Sequence, residues 1–217
     1  MRLVFLGPPG VGKGTYASAI SEKYGVPHIS TGDIFREEIK KGSKLGKMVK
    51  SYVDAGKLVP DDIVIEVVKQ RLLMDDCKKG FILDGFPRTL KQAEALDEIT
   101  RIDLALNFVA PDEVIIERIS GRRICLKCGE IYHVTYKPPK VPGVCDKCGG
   151  PVIQREDDKP EVVKERLAIY RDRFNPIIDH YKRKGILVEV YAGEQAEKVI
   201  PRIIEVLKKH GFYPLND

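Results

Sequence analysis

The chain has 217 residues, 43% hydrophobic and 32% charged, with a formal net charge of +5. These values are ordinary for a soluble globular protein with one core and small insertions. The apolar run at the N-terminus is too short for a secretion signal, and no segment approaches the ~20 apolar residues of a membrane span. We therefore expect a cytoplasmic protein without a membrane partner, whose modest positive charge suits nucleotides as readily as nucleic acid.

The first pattern is a short apolar run followed by a glycine-rich segment. Residues 3–6 predict a buried strand, and residues 7–15 contain four glycines and two prolines. Such a segment can wrap backbone N–H groups around a phosphate at the start of a helix, here from Lys13 to about Tyr24. The candidate phosphate-binding residues are Gly10, Val11, Gly12, Lys13, Gly14 and Thr15. The alternative is a turn that binds nothing. Gly14 separates Lys13 from Thr15, so a metal contact for Thr15 stays open.

A small helical segment follows a second predicted strand at residues 26–29. Ser30 and Asp33 have the spacing of an N-cap with an acid in the first turn. Helices are predicted over 34–40 and 44–54, with few large apolar residues, so this segment is expected to form a flap. Pro60 is predicted at the first position of the next helix. One face of that helix is expected to carry Ile63, Val67, Leu72 and Leu73.

Strands and helices alternate through the middle of the chain. Strands are predicted at 81–84 and 104–109, with helices at about 90–97 and 112–119. This alternation predicts an α/β fold with a mostly parallel sheet and right-handed crossovers. Ligands bind at the carboxyl ends of the strands in such folds, where the glycine-rich loop and Asp84 would converge. Asp84 is the candidate to orient Mg²⁺, and the alternative is a carboxylate that caps a turn.

An insert rich in glycine and proline interrupts the alternation from Cys125 to about Pro160. Two Cys-x-x-Cys pairs with sixteen residues between them have the spacing of a closed four-thiolate zinc site. Its ligands would be Cys125, Cys128, Cys145 and Cys148. A site without an open position is structural, and the alternatives are disulfides or an iron–sulfur cluster. His133 is a conceivable further donor, but we expect it instead to help shape a strand of the insert.

The remaining chain returns to the earlier pattern. A helix is predicted from Pro160 toward Lys184, bent near Pro176, then a strand at 186–191 and a closing helix at 194–209. Cys77 is expected to be a buried free thiol. The histidines outside the insert, at 28, 180 and 210, are expected to be structural or exposed.

Several motifs together resemble the adenylate kinases. They are the phosphate loop, Thr31-Gly32-Asp33 with Arg36, Asp84-Gly85-Phe86-Pro87-Arg88 with Gln92, and Gly121-Arg122-Arg123 before the insert. The resemblance spans nearly the whole chain and implies a P-loop NTPase-type parallel sheet flanked by helices. It divides the chain into a core at 1–29, 60–121 and 161–217, an AMP-binding flap at 30–59, and a zinc-binding lid at 122–160. Lids of this long type occur in many microbial members.

The resemblance also implies roles for individual residues. The catalytic set is Lys13, Asp84, Arg88, Arg122, Arg155 and Arg166. The residues expected to bind ATP besides the loop are Arg118, Arg122, Ile131, Tyr132 and Gln195. The residues expected to bind AMP are Thr31, Arg36, Lys57, Leu58, Val59, Gly85, Arg88, Gln92, Arg155 and Arg166. Arg118 would stack on the ATP adenine, and Gln195 would meet it through its main-chain carbonyl.

The implied reaction is reversible phosphoryl transfer from Mg·ATP to AMP, giving two ADP and balancing the adenine nucleotides. The chemistry agrees, because several arginines can neutralise converging phosphates and the attacking phosphate oxygen needs no general base. A monomer that binds only ATP, AMP and ADP is expected. The alternatives are a kinase for UMP, CMP or GMP, and a zinc-ribbon protein that binds nucleic acid and uses ATP.

Overall fold

A computed structural model describes residues 1–215. Its central sheet has five parallel strands in the order β2-β3-β1-β4-β8. These are β1 (Arg2–Leu6), β2 (His28–Ser30), β3 (Phe81–Asp84), β4 (Leu104–Val109) and β8 (Leu187–Tyr191). Strand β1 lies in the middle, so the loop that follows it opens at the centre of the carboxyl edge. The predicted α/β class with a mostly parallel sheet is confirmed.

Helices cover both faces of this sheet. They are α1 (Lys13–Tyr24), α2 (Thr31–Lys41), α3 (Lys44–Asp54), α4 (Asp61–Leu72), α5 (Leu90–Ile99), α6 (Asp112–Gly121), α7 (Pro160–Arg183) and α8 (Ala196–Lys209). Leu3, Phe5 and Phe108 pack beneath α1 and α8, whereas Val4 and Leu83 pack on the opposite side beneath α4, α5 and α7. The strands are apolar on both faces because both faces are covered.

The predicted helix and strand boundaries agree with the structure to within about two residues at most positions. Ser30 accepts a hydrogen bond from the Asp33 amide at 3.2 Å, which is the predicted N-cap. Three details were wrong. Pro60 is the N-cap of α4 and not its first residue, Leu73 is 69% exposed, and residues 26–27 precede β2. Val64 and Val68 supply the buried face of α4, while Ile63 and Val67 are only partly buried.

The segment between α6 and α7 forms a second, smaller sheet. Strands β5 (Arg122–Cys125), β6 (Ile131–His133) and β7 (Val152–Ile153) are antiparallel in the order β6-β5-β7. A short 3₁₀ helix over Glu156–Asp158 then leads into α7. We call this segment, residues 122–160, the lid, and we call residues 30–59, with α2 and α3, the flap.

Helix α7 runs without a break from Pro160 to Arg183, with Pro176 inside it. No helix within residues 1–215 is both long and apolar enough to cross a membrane.

Candidate active site

One cleft lies at the carboxyl edge of the central sheet, between the sheet, the flap and the lid. Its volume is about 1510 Å³, which exceeds the ~300–1,000 Å³ of an ordinary small-molecule pocket and leaves room for two nucleotides. Every residue that the sequence analysis assigned to nucleotide binding or catalysis lines this cleft, with the exception of Val11. The fold therefore brings together residues that are up to 185 positions apart in the chain, from Gly10 to Gln195.

The loop between β1 and α1 depends on glycines at particular positions. Gly7, Gly10 and Gly12 have φ angles of 136°, 86° and 110°, which L side chains rarely adopt. A Cβ atom at Gly7 would lie 2.7 Å from the carbonyl oxygen of Phe108, and one at Gly10 would overlap the Ile119 side chain. The first turn of α1 has no acidic residue. No side chain caps the start of α1 at Gly12, so its first backbone N–H groups can bind an anion.

Val11 lies apart from the cleft surface. Its side chain is fully buried, its N–H donates to the carbonyl of Pro8 at 3.3 Å, and its carbonyl accepts from Tyr16 and Arg118. Val11 therefore supports the shape of the loop through its backbone.

Lys13 folds back onto the loop that precedes it. Its Nζ donates to the carbonyl oxygens of Gly7 at 2.7 Å and Pro8 at 2.9 Å. The pKa of Lys13 is lowered to about 8, mainly by burial, which Asp84 opposes and to which the nearby charges of Arg88, Arg166 and Arg122 add. A phosphate in the loop would replace these carbonyl contacts with a charge-assisted pair.

Asp84 ends strand β3 beside the phosphate loop. A Cβ atom at Gly14 would come within 3.7 Å of its Oδ2, and His28 Nε2 lies 3.2 Å from the same oxygen. Burial raises the pKa of Asp84, but the hydrogen bond from His28 and the charge of Lys13 outweigh it, so the pKa falls below its ordinary value. Asp84 is thus an ionised oxygen donor facing the cleft, which is the donor type that Mg²⁺ takes from proteins.

Arg122 and Arg166 meet around a buried acidic pair at the base of the lid. Arg122 binds both carboxylate oxygens of Asp158, with Nε 2.8 Å from Oδ2. Arg166 reaches Asp158 Oδ1 at 3.2 Å and Asp157 Oδ2 at 3.0 Å. Burial lowers the pKa of Arg166 to about 10. The acidic pair compensates positive charges that would otherwise repel each other in a partly closed cleft.

The flap supplies the opposing wall. Arg36 contacts Asp33 at 2.6 Å and Asp157 at 3.7 Å, and Arg155 reaches Asp33 at 3.3 Å from the lid side. Arg88 donates from Nε to the Gly85 carbonyl at 2.8 Å. Burial lowers the pKa of Arg155 to about 10, yet its Nε has no hydrogen-bond partner within residues 1–215. Five arginines thus face one cleft and retain capacity for an anionic ligand.

The predicted acceptor pocket lies beside the flap. Thr31 Oγ1 donates to the Gly85 carbonyl at 2.9 Å, and residues 57–59 line the cleft next to them. Gln92 is buried, with Oε1 accepting from the Arg88 amide at 2.7 Å and Nε2 donating to Asp61 Oδ1 at 2.8 Å. The Gln92 amide therefore also organises the protein around the pocket.

Arg118 marks the other end of the cleft. Its NH1 donates to the carbonyls of Val11 at 2.9 Å and Ala192 at 2.8 Å, and its NH2 donates to that of Glu194. These bonds fix the orientation of the planar guanidinium, a group suited to stacking on a base. Gln195 is exposed in the adjacent loop and precedes α8.

Ile131 and Tyr132 lie on strand β6 of the lid. The Ile131 side chain faces the phosphate loop, where a Cβ atom at Gly14 would lie 3.6 Å from its Cδ1. The Tyr132 side chain is only 2% exposed and points into the lid, where it packs with Cys125, Cys145 and Val152. Any contact of Tyr132 with a nucleotide therefore involves its backbone.

The four lid cysteines form one cluster. Their sulfurs all lie within 4.8 Å of one another, and the pairs Cys125–Cys148 and Cys128–Cys145 are 3.5 and 3.6 Å apart. These separations are far beyond a disulfide bond, and all five cysteines of the chain are free. Backbone amides of Lys127 and Lys147 each approach a cluster sulfur at 3.4 Å. The donor set and spacing fit a tetrahedral ion such as Zn²⁺.

Four residues of the site were missed by the sequence analysis. His28 was expected to be structural or exposed, yet it contacts Asp84; Asp157 and Asp158 join the lid to α7 among the arginines. Arg202 on α8 holds the loop before α8 through the Tyr191 carbonyl at 2.6 Å and the Glu194 carboxylate at 2.7 Å. The adjacent acids at 157–158, two residues after Arg155, were the one local signal available.

The chain was compared with known proteins. A sequence model described as adenylate kinase matches residues 5–186. The chain is 54% identical to the adenylate kinase of Archaeoglobus fulgidus over 214 residues, which cover 96% of this chain and 99% of that protein. It is 54% identical over 212 residues to that of Caldicellulosiruptor saccharolyticus, covering 95% and 99% of the two chains. Against that of Thermodesulfovibrio yellowstonii it is 51% identical over 214 residues, covering 96% and 100%.

These matches and the phosphate-binding loop agree on the activity as well as the fold. The protein is an ATP-binding phosphotransferase acting on nucleotides. The chain belongs to the adenylate kinase family.

Proposed function

We propose that this enzyme transfers the terminal phosphoryl group of Mg·ATP to AMP, reversibly, giving two ADP, and that it thereby balances the adenine nucleotides of the cell. The observation that supports this most directly is the convergence of Arg36, Arg88, Arg122, Arg155 and Arg166 on one cleft beside the phosphate loop. They come from the flap, the turn after β3, the lid and α7. Two phosphate-bearing ligands that meet end to end would need positive charge from all of these directions.

In this proposal the donor occupies the side of α1 and the lid. The loop residues Gly10, Gly12, Lys13, Gly14 and Thr15 hold its phosphates, with Val11 shaping the loop. Arg118 stacks on its adenine, the main chain of Gln195 meets the same base, and Ile131 with the backbone of Tyr132 covers it. Lys13 and the lid arginines then stabilise the charge of the group in transfer.

The acceptor occupies the side of the flap. Arg36 and Arg88 hold its phosphate, and Arg155 and Arg166 lie between acceptor and donor. Thr31, Gly85, Gln92 and residues 57–59 surround its base. The attacking phosphate oxygen is already anionic at neutral pH, so positioning and charge compensation are the protein's main contributions and no side chain has to remove a proton.

Asp84 is the residue that would hold Mg²⁺, with the substrate phosphates completing its oxygen ligands. When bound, the ion neutralises phosphate charge in the transition state. His28 and Lys13 keep the Asp84 carboxylate ionised and oriented. The four lid cysteines would hold Zn²⁺ away from the chemistry, in a structural role.

We further propose that the chain has a core at 1–29, 60–121 and 161–217, the flap at 30–59 and the lid at 122–160. The flap and the lid close over bound substrates. Residues 216–217 lie outside the described part of the chain. The contacts Arg155–Asp33 and Lys40–Leu126 join flap and lid across the cleft and support such a motion. We also propose that the enzyme is a cytoplasmic monomer that binds no nucleic acid.

The test is initial ADP formation from Mg·ATP with AMP, and with UMP, CMP or GMP in its place. Arg88→Ala is the site variant. Arg101→Ala is the matched control, because Arg101 is exposed just before β4, at the opposite edge of the sheet. ADP formation with AMP that is abolished only in Arg88→Ala is the expected result. Turnover with another monophosphate would contradict the assignment of AMP as the acceptor. No turnover with any acceptor, from zinc-loaded protein, would contradict the proposed phosphoryl transfer.

A further inference from the structure

Tyr132 occupies an unusual position in the lid. It lies in the middle of β6 opposite Arg123 of β5, and its ring is buried among Cys125, Cys145 and Val152. Its hydroxyl oxygen is 3.3 Å from Cys145 Sγ and 2.8 Å from the backbone nitrogen of Asp146. A polar group in this small core thus has both of its partners at the second Cys-x-x-Cys turn.

The direction of these two hydrogen bonds follows from the groups involved. A backbone amide can only donate, so the Asp146 N–H occupies a lone pair of the Tyr132 hydroxyl. The hydroxyl has one hydrogen of its own, and the Cys145 sulfur is its second partner within hydrogen-bonding distance. The phenol is therefore oriented to donate to the sulfur, which accepts best as a thiolate.

The two Cys-x-x-Cys turns provide an internal comparison. In each, an amide two residues along donates to the first sulfur at 3.4 Å, from Lys127 to Cys125 and from Lys147 to Cys145. Among the described residues 1–215, only the second turn adds a side-chain hydroxyl, that of Tyr132, as a further hydrogen-bond partner of its first sulfur. The two halves of the cluster share a backbone design and differ in this one donor.

We propose that the Tyr132 hydroxyl is a hydrogen-bond donor to the Cys145 thiolate and a positioning residue for the lid metal, and that it slows release of that metal. Four thiolates around a divalent ion carry excess negative charge, which a donor to sulfur reduces. The same bond fixes the direction of the Cys145 lone pairs. Partners of metal ligands commonly change metal affinity by about 10–100-fold when they are removed.

The position of Tyr132 also links the metal to the nucleotide cleft. Its neighbour Ile131 faces the phosphate loop on the opposite side of β6. Lys137 Nζ lies 5.6 Å from the centre of the Tyr132 ring and pairs with Glu130, which directly precedes the same strand. Strand β6 covers the cleft, and Tyr132 therefore connects this strand to the second Cys-x-x-Cys turn.

The experiment compares Tyr132→Phe with Tyr136→Phe in the full-length, zinc-loaded protein. Both changes remove one phenolic hydroxyl from the lid, but the Tyr136 hydroxyl bonds the Glu117 carboxylate and no sulfur. Zinc release to an excess of a colorimetric chelator is followed by absorbance. We expect release from Tyr132→Phe to be about 10-fold faster or more, and release from Tyr136→Phe to stay within about 2-fold of the unchanged protein.

A second measurement separates the hydrogen bond from packing. The ¹¹³Cd resonance of the cadmium-substituted protein should shift in Tyr132→Phe and stay in place in Tyr136→Phe. Val152→Ala, which removes an apolar contact from the same core, should leave the resonance nearly unchanged. Release and resonance both unchanged in Tyr132→Phe would overturn the inference while leaving the metal site intact. Failure of the unchanged protein to hold zinc or cadmium would overturn the metal site with it, and neither result bears on phosphoryl transfer.

Discussion

The central sheet and the lid are stabilised in different ways. The sheet is packed on both faces by large apolar clusters that include Leu3, Phe5, Leu83 and Phe108. The buried cluster of the lid contains only four residues, and two of them belong to the group of four cysteines. Several other apolar lid side chains are exposed, among them Val134, Tyr136, Val141, Val144 and Ile153. Burial can account for the stability of the sheet, whereas the small buried cluster of the lid agrees with the proposed stabilisation by a metal.

The difference separates chemistry from local stability. The phosphate loop and Asp84 are built on the well-packed sheet, where rigid strand ends hold them in place. The lid contributes arginines near its two ends, Arg122 and Arg155, and its cysteine cluster lies between them in the chain. Changes at the sheet should therefore affect the reaction most, and changes at the cysteines should affect stability most.

The largest effect is expected from Lys13→Met. Removing the one ammonium of the phosphate loop should lower kcat by about 10²–10³-fold, as loss of a charge-stabilising donor does elsewhere. The melting temperature should change little, because relief from holding a partly buried positive charge offsets the loss of its hydrogen bonds to the Gly7 and Pro8 carbonyls. Steady-state kinetics and thermal melting measure both, and Lys23→Met, an exposed lysine on the same helix, is the control. A kcat within 10-fold of the unchanged protein would contradict the assignment.

Asp158→Asn tests the junction between lid and sheet. It leaves Arg122 and Arg166 buried without their shared carboxylate, and breaking such a pair costs about 3–5 kcal/mol in the free energy of unfolding. Bound ATP should restore more stability in the variant than in the unchanged protein, since its phosphates replace the lost charge. Denaturant unfolding with and without ATP measures this. Asp172→Asn, in an exposed pair with Arg173, is the control, and an equal loss in the two variants would contradict the prediction.

Metal removal tests the lid alone. Cys145→Ser, or chelation of the unchanged protein, should lower the melting temperature by about 5–10 °C, equivalent to a few kcal/mol in a protein of this size. At temperatures where the lid remains folded, kcat should change less than in Lys13→Met. Differential scanning calorimetry with metal analysis measures the effect, and Cys77→Ser, far from the cluster in the chain, controls for loss of a thiol. An unchanged melting temperature after complete metal loss would refute the structural role.

The smallest expected effect is the uptake of protons when ATP binds. With a pKa of about 8, Lys13 is partly neutral in the free enzyme above that pH. Bound phosphates favour its charged form, so ATP binding near pH 8.5 should take up a fraction of a proton, and ATP affinity should weaken as the pH rises above about 8. Calorimetry in buffers with different ionisation enthalpies measures the uptake. It should be absent near pH 6.5, where Lys13 is already protonated, and in Lys13→Gln at pH 8.5. A buffer-independent enthalpy at pH 8.5 would contradict it.

Much of this protein could be predicted from local patterns. The phosphate loop, the strand-helix alternation, the N-cap at Ser30 and the Cys-x-x-Cys pairs are each determined by residues within a few positions of one another. Backbone conformation and the clustering of paired cysteines depend on such short spacings, so sequence alone determined the fold class, the centre of the cleft and the four cysteines that cluster in the lid.

The tertiary structure decided which side chains meet over long distances. His28 and Asp84 are 56 positions apart, Gln92 and Asp61 are 31 apart, and Arg122 and Asp158 are 36 apart. It also turned the side chain of Tyr132 toward the cysteines, while its neighbour Ile131 faces the phosphate loop. These pairings follow from strand order, register and the alternation of side chains along a strand, which no short stretch of sequence contains.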